Sequence, residues 1–108
     1  MTKLFAQPGE GTLTQLDGST RRVVLHLPEL MLVEFSFEKG GIGALHSHPH
    51  IQSSFVAEGV FEVTIGEETQ TVAAGGAYIV PSGVTHGVKA IEAGRLIDSF
   101  TPVRADFL

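Results

Sequence analysis

No cysteine occurs among the 108 residues. Disulfide bridges, thiolate metal sites and a cysteine nucleophile are therefore excluded together, and a reducing compartment fits. Cations are few and dispersed: seven Lys and Arg against twelve Asp and Glu give a formal net charge of −5 and a pI near 5.4. A nucleic-acid partner needs clustered cations to displace counterions, so that class is set aside. The acidic balance does not forbid an anionic small substrate, because a metal ion and one arginine can reverse the field inside a pocket. Long apolar runs are also missing. Nowhere is there a membrane-spanning stretch of roughly 18 residues, and Met1–Glu10 carries no apolar run of signal-peptide length. The expectation is a cytoplasmic protein with no membrane partner.

What is present points to one β-domain over residues 1–108. The length is close to the commonest domain size, and 43% apolar with 18% charged residues suffices for a buried core. Thirteen glycines and five prolines punctuate short stretches rich in Val, Ile, Phe and Thr. Val33, Phe35 and Phe37 alternate with Glu34 and Ser36, and Phe61, Val63 and Ile65 alternate with Glu62 and Thr64. Both have the two-residue period of a half-buried strand. Further strands are expected at 21–27, 52–57, 69–72, 77–80, 85–88 and 95–100, and no stretch of ten or more residues has a helical period. Many short strands in such a chain mean a sandwich, a jelly roll or a closed barrel; periodicity does not choose among them.

Chemistry concentrates in two places. If the chain runs extended into Leu45-His46-Ser47-His48, the two imidazoles share one face and can grip one ion at about 2.0–2.2 Å per nitrogen. His50 has the same parity but follows strand-breaking Pro49 and is read as a supporting or surface residue; His26 is read as a surface or satisfied core residue. Gln52 offers an amide oxygen, and His86 arrives from a distant strand after the turn Pro81-Ser82-Gly83. Three neutral imidazoles and an amide suit one divalent transition metal: Ni, Zn, Mn, Fe or Co. The second place is the C-terminal segment 95–108. Asp98 and Phe100 share parity, and Arg104 lies just beyond Pro102. One reading places the carboxyl and ring in a cavity, with Arg104 at the rim to clamp a substrate carboxylate. The other is a surface ion pair between Asp98 and Arg104, with Phe100 simply core.

The spacing resembles the cupin superfamily. Its first motif, G-x5-H-x-H-x3/4-E-x6-G, is met by Gly40, His46, His48, position 52 and Gly59, within residues 40–59. Its second, G-x5-P-x-G-x2-H-x3-N, is met by Gly75, Pro81, Gly83 and His86, within 75–90. The resemblance implies a single-domain all-β cupin barrel, the double-stranded β-helix or jelly roll, with His46, His48, Gln52 and His86 as metal ligands. Two positions depart from the pattern: Gln52 stands for the usual Glu, and Ala90 for the final Asn. A glutamine keeps the donor but removes a negative charge, which leaves the metal a stronger Lewis acid toward anionic, oxygen-rich substrates.

A narrower resemblance joins Gln52 with the tail Asp98-x-Phe100-x3-Arg104: the KdgF-type pectin-degradation cupins. It implies conversion of 4,5-unsaturated monouronates from pectin or alginate into linear 4-deoxy-5-keto uronates. Asp98 would be the general acid or base, Arg104 would hold the carboxylate, and Phe100 would cover the sugar face. Ile51 departs from the polar residue expected there. The competing expectations are another metal-dependent cupin enzyme, a dioxygenase or a sugar isomerase, and a non-catalytic ligand-binding cupin. Apolar positions along Leu13–Leu27 further suggest a homodimer paired through outer strands.

Overall fold

The computed structural model describes residues 2–108. Eight strands follow one another: β1 (Thr12–Gln15), β2 (Ser19–Leu27), β3 (Leu30–Phe37), β4 (Ile42–His46), β5 (Ile51–Ile65), β6 (Glu68–Ala73), β7 (Ala77–Val80) and β8 (His86–Thr101). A 3-10 turn at Ala105–Phe107 follows, and no α-helix occurs among the described residues. None of their helices is long and apolar enough to cross a membrane. Every pairing is antiparallel.

The two long strands organise the barrel. β5 and β8 pair along their whole lengths. The first part of β5 also pairs with β7 and its second part with β6. The first part of β8 pairs with β4 and its later part with β3, which continues through β2 to β1. Each long strand thus serves one layer and then the other, as in a jelly roll. The passage occurs where the β5–β8 register slips between Val56 and Phe61. There the inward parity of β5 changes from Gln52, Ser54 and Val56 to Phe61 and Val63, the expected result of a bulge. Gly59 makes it possible. Its φ is +83°, and a Cβ there would lie 2.5 Å from the Ala93 carbonyl oxygen and 2.7 Å from Gly94 Cα.

Alternation sorts the side chains as the sequence implies. Met31, Val33 and Phe37 of β3, and Leu96, Asp98 and Phe100 of β8, are buried. One core cluster gathers Phe37, Val56, Phe61, Val63, Ala90 and Leu96; a second gathers Val23, Met31, Val33 and Phe100. Phe61 is 0% exposed and meets Phe37 edge-on at 5.4 Å between ring centroids. Replacing it with alanine is expected to destabilise the fold by about 3–5 kcal/mol, measurable as a shift of the urea midpoint.

The strand expectations need two adjustments. The separate strands read at 52–57 and 61–65 are halves of β5, and those at 85–88 and 95–100 are halves of β8; the bulge breaks the period without breaking the strand. β1 was not anticipated. Its four residues are mostly exposed and edge-paired, so they carry no burial period.

Candidate metal centre and active site

Three imidazoles meet at one end of the barrel, His48 and His86 buried and His46 exposed. His46 closes β4 and stands opposite His86, the first residue of β8. Their ring centroids are 4.3 Å apart, and His48 lies 4.7 Å from His86 and 5.4 Å from His46. One ring nitrogen from each falls within 4.8 Å of the others, a spacing that one ion can bridge after small side-chain movements.

His48 does not arrive as expected. β4 ends at His46, so shared strand parity is not what aligns the pair. His48 sits in the turn between β4 and β5, and the second motif holds that turn: Gly83 N–H donates to the His48 carbonyl at 2.9 Å, and Ser82 Oγ donates to the Pro49 carbonyl at 2.6 Å. The turn Pro81-Ser82-Gly83 therefore brings His86 in and also anchors the loop carrying His48.

The hydrogen bonds settle which nitrogen of each ring is free. Nδ1 of His46 faces the Ala44 carbonyl at 2.8 Å, Nδ1 of His48 that of His50 at 3.0 Å, and Nδ1 of His86 that of Val84 at 2.9 Å. A carbonyl can only accept, so each Nδ1 carries the proton and each neutral ring turns an Nε2 lone pair inward. Burial lowers the pKa of His48 and of His86 and favours that neutral form. His86 Nε2 is buried without a partner. Gln52 follows the same logic. Its amide N–H groups point to Ser54 Oγ at 3.0 Å and Asp98 Oδ2 at 3.4 Å, which leaves Oε1 3.1 Å from His48 Nε2. Two lone pairs then face each other at hydrogen-bond distance, an arrangement a cation relieves. The donor set fits a metal: His46, His48 and His86 form a group that could hold one ion.

A cavity open to solvent adjoins this group, with His46 and His86 on its wall. Gln52, Tyr78, Asp98, Phe100 and Arg104 are among the side chains on its wall. Asp98 is 4% exposed, and its Oδ1 has no protein partner. Burial pushes its pKa up to about 7, against smaller opposing effects of the Ser54 hydroxyl and the Arg104 charge. The expected alternative of a surface ion pair between Asp98 and Arg104 is thereby corrected: the carboxyl is interior, and Arg104 Nη2 pairs with Asp106 Oδ2 at 2.8 Å. Phe100 is buried beside the cluster, with its ring 5.8 Å from that of His48.

Other residues have places too. His26 is exposed and lies outside the group. His50 supports it: its Nε2 donates to the Val103 carbonyl at 3.2 Å, tying the C-terminal tail to the His48 loop. Ala90, at the motif's usual Asn, is an interior core residue whose backbone pairs with Gly40 and Gly41. Ile51 is exposed. Sequence reasoning missed Tyr78, whose buried phenol is held well above its usual pKa by desolvation and by Asp98. Its parity in β7 was the available signal, since it stands opposite inward-facing Ser54.

Known proteins carry the same features. The chain matches the cupin-domain family over residues 33–100. It is 44% identical over 94 residues to the pectin degradation protein KdgF of Dickeya dadantii, covering 85% of this chain and 86% of that one. The structure of KdgF from Halomonas sp. superposes with a TM-score of 0.92 at 34% identity, covering 99% of this chain and all of the other (100%). An RmlC-like cupin from Shewanella frigidimarina superposes with a TM-score of 0.94 at 34% identity, covering 99% and 97%. Barrel, motif spacing and whole-chain similarity agree: the chain belongs to the cupin family and, within it, to the KdgF-type cupins.

Proposed function

We propose that the protein is a metal-dependent enzyme of pectin or alginate breakdown that converts 4,5-unsaturated monouronates into linear 4-deoxy-5-keto uronates. The observation that carries this reading is the placement of Asp98. An interior carboxyl on the cavity wall, with one oxygen lacking a protein partner, accepts a hydrogen bond from the amide that faces the histidine group. A protein that only binds a ligand has no need of it. The similarity to the pectin degradation protein supplies the substrate class, a small anionic sugar.

His46, His48, Gln52 and His86 would hold one divalent transition metal (Ni, Zn, Mn, Fe or Co). When bound, it supplies Lewis acidity toward substrate oxygens. The net reaction is an isomerisation. The hemiacetal hydroxyl loses its proton, the bond from its carbon to the ring oxygen breaks to leave an aldehyde and an enol, and one proton reaches C4 as the enol becomes the ketone. Asp98 is placed to handle that proton, and burial keeps its pKa near neutrality, where taking and giving are both feasible. Arg104 holds the substrate carboxylate, and Phe100 packs against the sugar face and excludes water.

The test is direct: the ultraviolet absorbance of the conjugated enol of unsaturated galacturonate, or of its alginate equivalent, should vanish faster than in the spontaneous reaction. Unchanged kinetics with both sugars after metal loading would sink the proposal. Arg104→Ala should raise KM by about tenfold or more while kcat changes less, because the guanidinium binds a group that does not react. A homodimer in the cytoplasm completes the reading. Leu13 and Leu27 on the β1–β2 edge, and Phe55 and Ile79 on the β5–β7 outer face, are exposed apolar side chains available to a second copy. Light scattering would show twice the chain mass.

A further inference from the structure

We propose that Phe107 and Arg21 are positioning residues that fix the guanidinium of Arg104 on the wall of the cavity. The inference rests on the proposed role of Arg104.

Arg104 lies beyond the last strand, in the tail just before the 3-10 turn. Asp106 accepts from the Arg104 Nε at 3.4 Å and from its Nη2 at 2.8 Å. That carboxylate is itself 59% exposed and sits at the end of the chain, so it anchors only one edge of the guanidinium. The face of the guanidinium rests on aromatic rings. Its Cζ lies 4.0 Å from the centroid of Phe107 and 5.2 Å from that of Phe100, distances at which a cation is attracted to a ring face. Phe107 in turn is gripped on several sides. It meets Phe35 edge-on at 6.1 Å and Phe100 at 5.8 Å, and Cζ of Arg21 stands 4.1 Å from its centroid. One ring thus holds two guanidinium groups at contact distance.

Arg21 is otherwise unexplained. It lies on β2 between buried Ser19 and Val23, two residues away on either side, so its side chain shares their inward face. Neighbouring Arg22 points the other way and pairs with Glu34. Among the described residues Arg21 has no carboxylate partner, and its Nε is buried without a hydrogen bond. An inward arginine without an acid is a costly residue in a barrel. Here it braces the ring on which Arg104 rests and adds a second positive charge near the proposed carboxylate subsite. Methionine at 21 would fill the space without the charge, and leucine at 107 would fill it without the ring face.

The experiment compares Phe107→Leu, Phe107→Tyr, Arg21→Met, Arg104→Ala and the double variant Phe107→Leu/Arg104→Ala in the metal-loaded protein. It reads KM and kcat on the unsaturated monouronate, calorimetric Kd for unreactive galacturonate, metal content and Tm. Phe107→Leu and Arg21→Met should each raise KM and Kd by about three- to tenfold, with kcat and metal content within twofold. Phe107→Tyr should restore both constants. The double variant should bind no worse than Arg104→Ala alone, since the ring acts only through Arg104. Unchanged Kd in folded Phe107→Leu and Arg21→Met, beside a weakened Arg104→Ala, would overturn the proposal and leave the role of Arg104 intact. Loss of Tm, metal and kcat together, without rescue by tyrosine, would overturn it in favour of a packing role. If the wild type turned over no unsaturated uronate while galacturonate binding fell in Phe107→Leu, Arg21→Met and Arg104→Ala, the reaction would fail and the positioning would stand.

Discussion

Asparagine in place of Asp98 is expected to cut turnover by about 10²–10⁴-fold while metal content and fold are retained. The substitution keeps the size of the side chain. It also keeps an oxygen for the Gln52 amide, which donates to Asp98 Oδ2 at 3.4 Å, so Gln52 should still turn Oε1 toward His48. The carboxyl that can accept and return a proton is lost. Oδ1 has no protein partner, so no hydrogen bond to that atom has to be replaced. A carboxyl buried this deeply is held at a cost, so the variant should melt no lower than the parent. Loss of activity without loss of stability separates a catalytic carboxyl from a packing one. Rate assays with elemental analysis and a thermal scan check it: turnover within twofold of the parent, or loss of metal, would remove Asp98 from the proposed role. Galacturonate should still bind, because the change leaves Arg104 untouched.

Much of this site was legible because its elements are local. His46, His48, Gln52 and His86 follow a spacing that depends on turns, and the motif glycines Gly40, Gly59, Gly75 and Gly83 all occupy positive φ. Parity put Asp98 and Phe100 on one face but did not say whether that face was interior; the resemblance of the tail favoured the interior, and strand β8 buries both. What was not legible depends on contacts distant in sequence. That His48 lies off the strand, held by Gly83 and Ser82, requires knowing where the second motif docks. The merging of four short strands into β5 and β8 is hidden because the bulge at Gly59 inverts the inward parity. The tail is the extreme case. Phe107 and Arg21 are 86 positions apart in the chain, and neither sits in a pattern with a period; only the folded barrel brings them together around Arg104.

Removing one imidazole should cost the protein its metal, and with it the largest ligand-linked part of its stability. In His86→Ala, the buried ring whose Nε2 faces the group without a partner is gone, leaving His46, His48 and the neutral amide of Gln52. Even outer hydrogen-bond partners of metal ligands are worth about 10–100-fold in affinity, so loss of a ligand itself should exceed that. The readout does not depend on turnover. A ligand bound only by the native state stabilises it by about 2.7 kcal/mol at a hundred times its Kd, on the order of 10–20 °C in Tm for a domain of about a hundred residues. The parent should show such a rise on adding a divalent transition metal and lose it to a chelator; His86→Ala should show neither. Gln52→Glu is the contrasting case. It keeps an oxygen donor and adds a charge that binds the metal more tightly, so the thermal shift should persist or grow. Turnover should nonetheless fall, because a carboxylate would neutralise part of the metal's charge and stand beside Asp98, where the amide now donates a hydrogen bond. If Gln52→Glu kept full activity, the neutral ligand would have no part in the reaction; if His86→Ala retained the metal-induced shift, the three imidazoles would not be acting as one site.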